Sequence, residues 1–260
     1  MRGSHHHHHH TDPALRAILK IGGSVITDKS AYRTARTYAI RSIVKVLSGI
    51  EDLVCVVHGG GSFGHIKAME FGLPGPKNPR SSIGYSIIHR DMENLDLMVI
   101  DAMIEMGMRP ISVPISALRY DGRFDYTPLI RYIDAGFVPV SYGDVYIKDE
   151  HSYGIVSGDD IMADMAELLK PDVAVFLTDV DGIYSKDPKR NPDAVLLRDI
   201  DTNITFDRVQ NDVTGGIGGK FESMVKMKSS VKNGVYLING NHPERIGDIG
   251  KESFIGTVIR

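Results

Sequence analysis

Cysteine occurs once in this 260-residue chain, so no disulfide can form within it. Cys55 lies inside the apolar run Leu53–Val57. A buried, inert thiol is the expected state there, as in a reducing cytoplasm. Long apolar runs are missing too. None approaches the ~20 residues that span a bilayer, which excludes a membrane helix. Neither sign of charge is in excess, with 30 basic residues against 33 acidic and a net charge of −3. No basic stripe interleaved with aromatics appears, which argues against nucleic acid as a partner. Cys/His clusters at metal-ligand spacing are also absent, so no metal site is expected.

Six of the eleven histidines stand together in Met1–Pro13 (MRGSHHHHHHTDP), which reads as an expression tag outside the fold. The other five are His58, His65, His89, His151 and His242. With 42% hydrophobic residues, residues 14–260 can bury roughly 70% of their unfolded surface without disulfides or zinc. A single domain is expected, with residues 14–150 on an acceptor side and 151–260 on a nucleotide side once a function is assigned.

Short apolar runs alternate with amphipathic stretches. Strands are expected at Leu15–Ile21, Leu53–His58, Pro110–Ile115, Gly136–Tyr142, Val173–Leu177 and Val235–Ile238, with Thr257–Ile259 as a closing edge strand. The 3.6-residue period predicts helices over Thr37–Ile50, Tyr85–Met108, Asp159–Leu169 and Phe221–Lys232. Residues 73–80, LPGPKNPR, read as a loop. Asp121-Gly122 predicts a hairpin turn, and Val145–Ile147 with Ser152–Ile155 a second hairpin. The fold class that follows is α/β: a three-layer αβα sandwich with a mainly parallel central sheet and short β-hairpins. Ligands bind such sheets beyond the carboxyl ends of the strands.

Glycine clusters fall at those ends: Lys20-Ile21-Gly22-Gly23-Ser24, His58-Gly59-Gly60-Gly61-Ser62-Phe63-Gly64-His65, and Gly215-Gly216-Ile217-Gly218-Gly219-Lys220. Glycine there lets backbone N–H groups approach an anion closely, and a following helix adds donors and positive potential. Two better-known phosphate motifs fail. Gly59-x-Gly61-x-x-Gly64 matches the dinucleotide fingerprint, but the second strand and its acid are replaced by the 73–80 loop and a long helix. Gly219-Lys220 lacks the first P-loop glycine, since Thr214 stands there, and Phe221 replaces the magnesium-holding hydroxyl.

KIGGS at 20–24, the glycine loop at 58–65, SGDD at 157–160, TDVDGIYSKDP at 178–188 and TGGIGGK at 214–220 together resemble the amino acid kinase superfamily. Its members phosphorylate small acids with ATP. Within it, KIGGSVITDK with HGGGSFGH is similar to the isopentenyl phosphate kinases of archaeal-type isoprenoid synthesis. The resemblance implies ATP with Mg2+ carried on its phosphates, a small phosphate acceptor, a cytoplasmic enzyme and a homodimer. Two other readings remain open at this level: a kinase of a small phosphonate such as fosfomycin, and a non-catalytic nucleotide-binding sensor.

Phosphoryl transfer asks a protein mainly to position two anions and to neutralise developing charge. The resemblance gives Lys20 to the transferred phosphoryl group, Lys220 to the leaving oxygen, Lys29 as a third cation, and Asp159 as the carboxylate orienting Lys20 and Lys220. It places ATP against Lys20, Gly22, Gly23, Ser24, Gly60, Gly216 and Lys220, and against Thr178, Asp179, Asp181, Gly182, Tyr184 and Lys186. His65 follows a triple glycine and opens a helix, where a ring N–H can donate to an acceptor phosphate. Gly59, Gly60 and Gly158 complete that cradle, with Gly143 and Asp144 at a neighbouring strand end. Tyr85, Ile88, Val145 and Ile155 are the expected walls of an apolar slot.

Overall fold

A computed structural model describes residues 15–202 and 220–260. The expected tag and Gly216 lie outside the described residues. Eight strands form the central sheet: β1 (Ala17–Ile21), β2 (Leu53–His58), β3 (Pro110–Ser112), β4 (Val138–Tyr142), β5 (Val173–Thr178), β6 (Asp199–Ile200), β7 (Gly234–Asn239) and β8 (Thr257–Ile259). Their order across the sheet is β6-β8-β7-β5-β1-β2-β4-β3. All pairs are parallel except β7 with β8. Thr257–Ile259 is therefore not the edge strand expected from sequence, because Asp199–Ile200 pairs beyond it. Those two residues are too few to show a strand period, so the sequence carried no sign of them.

Helices cover both faces. They are α1 (Gly23–Ile26), α2 (Thr37–Leu47), α3 (His65–Glu70), α4 (Pro79–Glu105), α5 (Thr127–Asp134), α6 (Gly158–Leu169) and α7 (Lys220–Lys228). One core joins Leu19, Ile21 and Val56 to α2 and α4 through Ile43, Leu47, Leu95 and Met103. The other joins Ile18, Cys55 and Val57 to α6 and α7 through Ile161, Met165, Phe221 and Met224. Alternate residues of one strand thus feed opposite cores, as the two-residue period demands. Each such buried side chain contributes about 1.5–3 kcal/mol of transfer free energy. Cys55 is buried, and burial pushes its thiol up to about 12, the inert state expected from sequence.

The 73–80 segment is more regular than its prolines suggested. Gly75–Pro76 pairs antiparallel with Ser152 and Tyr153. Asn78 then caps α4 by accepting from the Ser81 N–H, and Pro79 fills the first turn, where a missing N–H costs nothing. The long helix therefore starts six residues before Tyr85. It stops at Glu105 because Gly107, at φ +78°, closes a left-handed cap in which Met108 N–H reaches Met103 O and Gly107 N–H reaches Ile104 O. Both expected hairpins form: Arg119–Tyr120 with Arg123–Phe124, and Asp144–Asp149 with Ser152–Val156. The short helix α5 was not read from the sequence, its eight residues spanning barely two turns.

Candidate active site

The strands β1, β2 and β5 end side by side, and their loops interlock. Gly22 N–H donates to Leu177 O over 2.8 Å, and Gly59 N–H to Ile21 O over 2.9 Å. Gly23 lies so close to Gly61 that any Cβ on Gly23 would collide with the Gly61 backbone. Behind them Thr27, buried, donates to Gly23 O over 2.7 Å and accepts from Ser62 N–H over 3.1 Å. Two glycine loops are thereby locked into one surface at the sheet end.

Lys20 leaves β1 on the α6 side, the face it shares with Ile18. Its ammonium is nearly buried and donates to Asp159 Oδ1 over 2.7 Å. A Cβ on Gly158 would sit 2.7 Å from Lys20 Cε, so the lysine passes close over this helix start and a larger residue there would push it aside. Ser157 is the helix cap, accepting from Asp160 N–H at 3.1 Å while Asp160 returns the bond to Ser157 N–H. Asp159 takes no part in this cap, and its carboxylate is free to hold Lys20. Lys220, at the start of α7, faces the same group. Burial and the Lys20 charge hold it below the usual lysine value, while Asp159 and Asp179 oppose that shift. Lys29 pairs with Asp179. Burial pushes Asp179 up, yet the Lys29 hydrogen bond and charge prevail, aided by Lys220, and the net shift is downward. Three lysines and two aspartates therefore converge at the carboxyl ends of β1 and β5.

Beside this cluster lies a cavity of about 260 Å³. It is lined by Lys20, Gly59, Gly60, Gly61, Gly64, His65, Gly143, Asp144, Ser157 and Gly158. Ile88, Met92, Val145, Ile155, Val156 and Ala68 supply the apolar part of the lining, with Met92 against the glycine loop. Of the slot residues named from sequence, Tyr85 alone is set back. Its ring packs on Tyr153 at 5.0 Å, and burial with the nearby Asp144 charge pushes its phenol up to about 12. Met92, Ala68 and Val156 were not singled out; Met92 looked like ordinary core because its spacing is that of the buried face of α4.

On the nucleotide side, Thr178 is buried and its carbonyl accepts from Gly240 N–H over 2.6 Å. Asp181 accepts from Arg245 at 2.7 Å and Asn239 at 3.1 Å, and the Arg245 bond holds its carboxyl below the ordinary value. Tyr184 stands near Asp181, with burial the main cause of its raised phenol. Lys186 donates to Asp193 over 2.6 Å. Gly22, Gly23 and Ser24 stand at the start of α1, where Ser24 N–H has no backbone partner among the described residues.

Two histidines that carried little weight in the sequence are firmly engaged. His89 donates from Nδ1 to Asp144 Oδ2 over 2.6 Å and lies 3.0 Å from Glu93. The Asp144 hydrogen bond raises His89 above the usual imidazole value, and burial pushes Asp144 itself up. His58 is fully buried and contacts Asp96 at 2.8 Å. Asp96 and Asp144 are 38 and 55 residues away, so no local spacing could reveal those two bonds, whereas Glu93 stands one helical turn from His89. Among the described residues no group of three or more His, Cys, Asp or Glu converges to hold a metal ion.

The amino acid kinase family matches residues 16–239. The chain belongs to that family. It is 99% identical over 243 residues to the isopentenyl phosphate kinase of Thermoplasma acidophilum, covering 94% of this chain and 99% of that protein. The Arabidopsis thaliana isopentenyl phosphate kinase is 32% identical over 239 residues, 79% of this chain and 72% of that protein. Among solved structures, an isopentenyl phosphate kinase substrate complex superposes with a TM-score of 0.88 at 93% identity, covering 95% of this chain and 100% of that one. The fold is also that of the UMP kinase of Ureaplasma parvum, at 15% identity and a TM-score of 0.67, covering 95% of this chain and 99% of that one. No helix among the described residues is long and apolar enough to cross a membrane.

Proposed function

We propose that the protein is an ATP-dependent kinase of isopentenyl phosphate. The observation that carries this reading is a lysine cluster abutting a cavity whose lining combines the glycine loop and His65 with the apolar side chains of Ile88, Val145 and Ile155. A phosphate at the glycine loop and a short branched hydrocarbon along Ile88 and Ile155 match that mixed lining.

In the reaction an acceptor phosphate oxygen attacks the γ-phosphorus of ATP. The new O–P bond forms as the bond to the β,γ-bridging oxygen breaks, giving isopentenyl diphosphate and ADP. The acceptor needs no general base, because a phosphate monoester has its second pKa near about 6 and is largely a dianion at neutral pH. His65 is read as a donor to an acceptor oxygen, fixing the attack line. Lys20 neutralises the transferred group, held by Asp159, and Lys220 meets the leaving oxygen. Lys29 closes over the phosphates from the Asp179 side. Thr178, Asp179, Asp181, Gly182, Tyr184 and Lys186 are read as the adenosine side; the nucleotide must share Asp181 with Arg245 and Lys186 with Asp193. Magnesium is read as arriving on the ATP phosphates, with the chain's own charge compensation left to its lysines.

The chain works as one unit in this reading, since Ile155 and Gly158 of its second half line the acceptor cavity with the first. Dimerisation and a cytoplasmic location complete the reading; sedimentation of the purified protein tests the former. ADP release on adding isopentenyl phosphate, fosfomycin or N-acetylglutamate tests the activity. Turnover with the first alone is expected, and equal or greater turnover with either of the others would overturn the assignment.

A further inference from the structure

His58 ends β2 one residue before the glycine loop, and no part of it is exposed. Its ring stacks on Tyr142 of β4, with centroids 5.3 Å apart. Nδ1 lies 2.9 Å from Gly59 O and Nε2 lies 2.8 Å from Asp96 Oδ1 on α4. A carbonyl only accepts, so Nδ1 carries a hydrogen and donates it. Asp96, itself buried, also accepts from the hydroxyl of Ser112 on β3 through its other oxygen. One side chain thus links the glycine loop to the long helix and to two strands.

The consequence lies in the Gly59–Gly60 peptide. The single cis bond among the described residues is Leu73–Pro74, so this peptide is trans. In a trans peptide the C=O and N–H point in opposite directions. With Gly59 O drawn back onto the buried ring, Gly60 N–H is turned the other way. That N–H has no backbone acceptor among the described residues, and Gly60 lines the cavity. A flipped peptide would instead present a carbonyl oxygen, which repels a phosphate.

We infer that His58, held by Asp96 and Ser112, is a positioning residue for the acceptor phosphate: it fixes the Gly59–Gly60 peptide so that a backbone N–H, not a carbonyl, faces the anion. His58 touches no substrate itself. The inference rests on reading the cavity as the acceptor site.

His58→Phe tests it, because the ring still stacks on Tyr142 while both hydrogen bonds are lost. The expected result is an acceptor KM raised about tenfold with the ATP KM changed less than about twofold, the scale of one lost charge-assisted hydrogen bond. Ser112→Ala, which removes the outermost link to Asp96 together with the Ser112 contact to the Tyr142 phenol, should shift the acceptor KM the same way by about two- to fourfold, and it decides the matter if His58→Phe does not fold. A folded His58→Phe with an unchanged acceptor KM, or with both KM values raised alike, overturns the inference. So does an unchanged KM in Ser112→Ala when it is the deciding variant. Wild-type protein lacking turnover with isopentenyl phosphate would instead overturn the reading of the cavity, so the two failures are distinguishable.

Discussion

The phenol of Tyr32 donates to Asp91 Oδ2 over 2.6 Å, tying the loop that carries Lys29 to the middle of α4. Asp91 is buried, and it also meets Arg33 at 3.4 Å and Arg90 at 2.9 Å. Tyr32→Phe removes one bond from that anchor. Stability should fall by about 1 kcal/mol, and the Lys29 loop should lose its fixed position. Thermal melts and turnover at saturating substrates check this, with a reduced kcat expected at an ATP KM near wild type.

Lys20 and Asp159 are both largely buried, so removing one strands the other. Asp159→Ala should destabilise the fold by about 3–5 kcal/mol, since Lys20 and Lys220 would then face each other without their shared counter-charge. Asp159→Asn keeps the shape and one acceptor, and should melt higher than the alanine variant. Differential scanning calorimetry on both variants measures the order, and turnover of each should be far below wild type.

His65→Ala should lose roughly 10²–10³ in turnover, the usual cost of one preorganised donor at a reacting anion. His65→Gln, which still offers an N–H, should retain more. Single-turnover phosphoryl transfer separates this loss from product release. Equal rates for wild type and His65→Ala would remove the residue from the reaction.

For the His89–Asp144 pair the native state binds protons more tightly than the unfolded chain. Asp144 raises His89 above its unfolded value near 6.5, and burial raises Asp144 above 3.8. A raised histidine stabilises fully below 6.5 and loses that contribution as pH climbs through its folded value. The raised carboxyl has the same sign, with stability falling as pH rises above 3.8. The difference in melting temperature between wild type and His89→Gln should therefore shrink from pH 6 upward through the His89 titration. A difference that grows over this range would contradict the pairing.

Ile88 lines the cavity, whereas Tyr85 stands behind it against Tyr153. Ile88→Ala should therefore open the slot directly and admit a longer prenyl phosphate. Tyr85→Ala should do so less, because Tyr153 still blocks the space. Comparing kcat/KM for five-carbon and ten-carbon phosphates in each variant gives the order; the reverse order would mean that the wall follows Tyr85.

Elements with strong period were legible in the sequence. The runs Leu53–His58 and Val173–Leu177 are buried on both faces, so they read as continuous apolar stretches; Gly59 marks the end of the first and Thr178-Asp179 the end of the second. Lys20, Asp159 and His65 were legible because each lies in a short glycine-bearing motif that resembles the family's. What escaped depended on distance along the chain. His58 with Asp96, His89 with Asp144 and Tyr32 with Asp91 are pairs made by folding, and an isolated histidine in an apolar context has the same local sequence whether it is paired or packed. The 73–80 segment misled for a different reason: its prolines do forbid a helix interior, but the first turn of α4 tolerates one and Asn78 supplies the cap.

The sheet also ends abruptly at both sides. Among the described residues one margin is the two-residue strand Asp199–Ile200 and the other is Pro110–Ser112, which begins with proline. An unpaired strand margin is a template for a foreign chain, and these offer almost nothing to copy. The six strands between them hold the chain's most apolar sequence, and they are shielded on either flank by segments too short to recruit a neighbour. The central sheet therefore offers little purchase for growth by strand addition; the longer edge Asp144–Asp149 belongs to the separate three-stranded sheet.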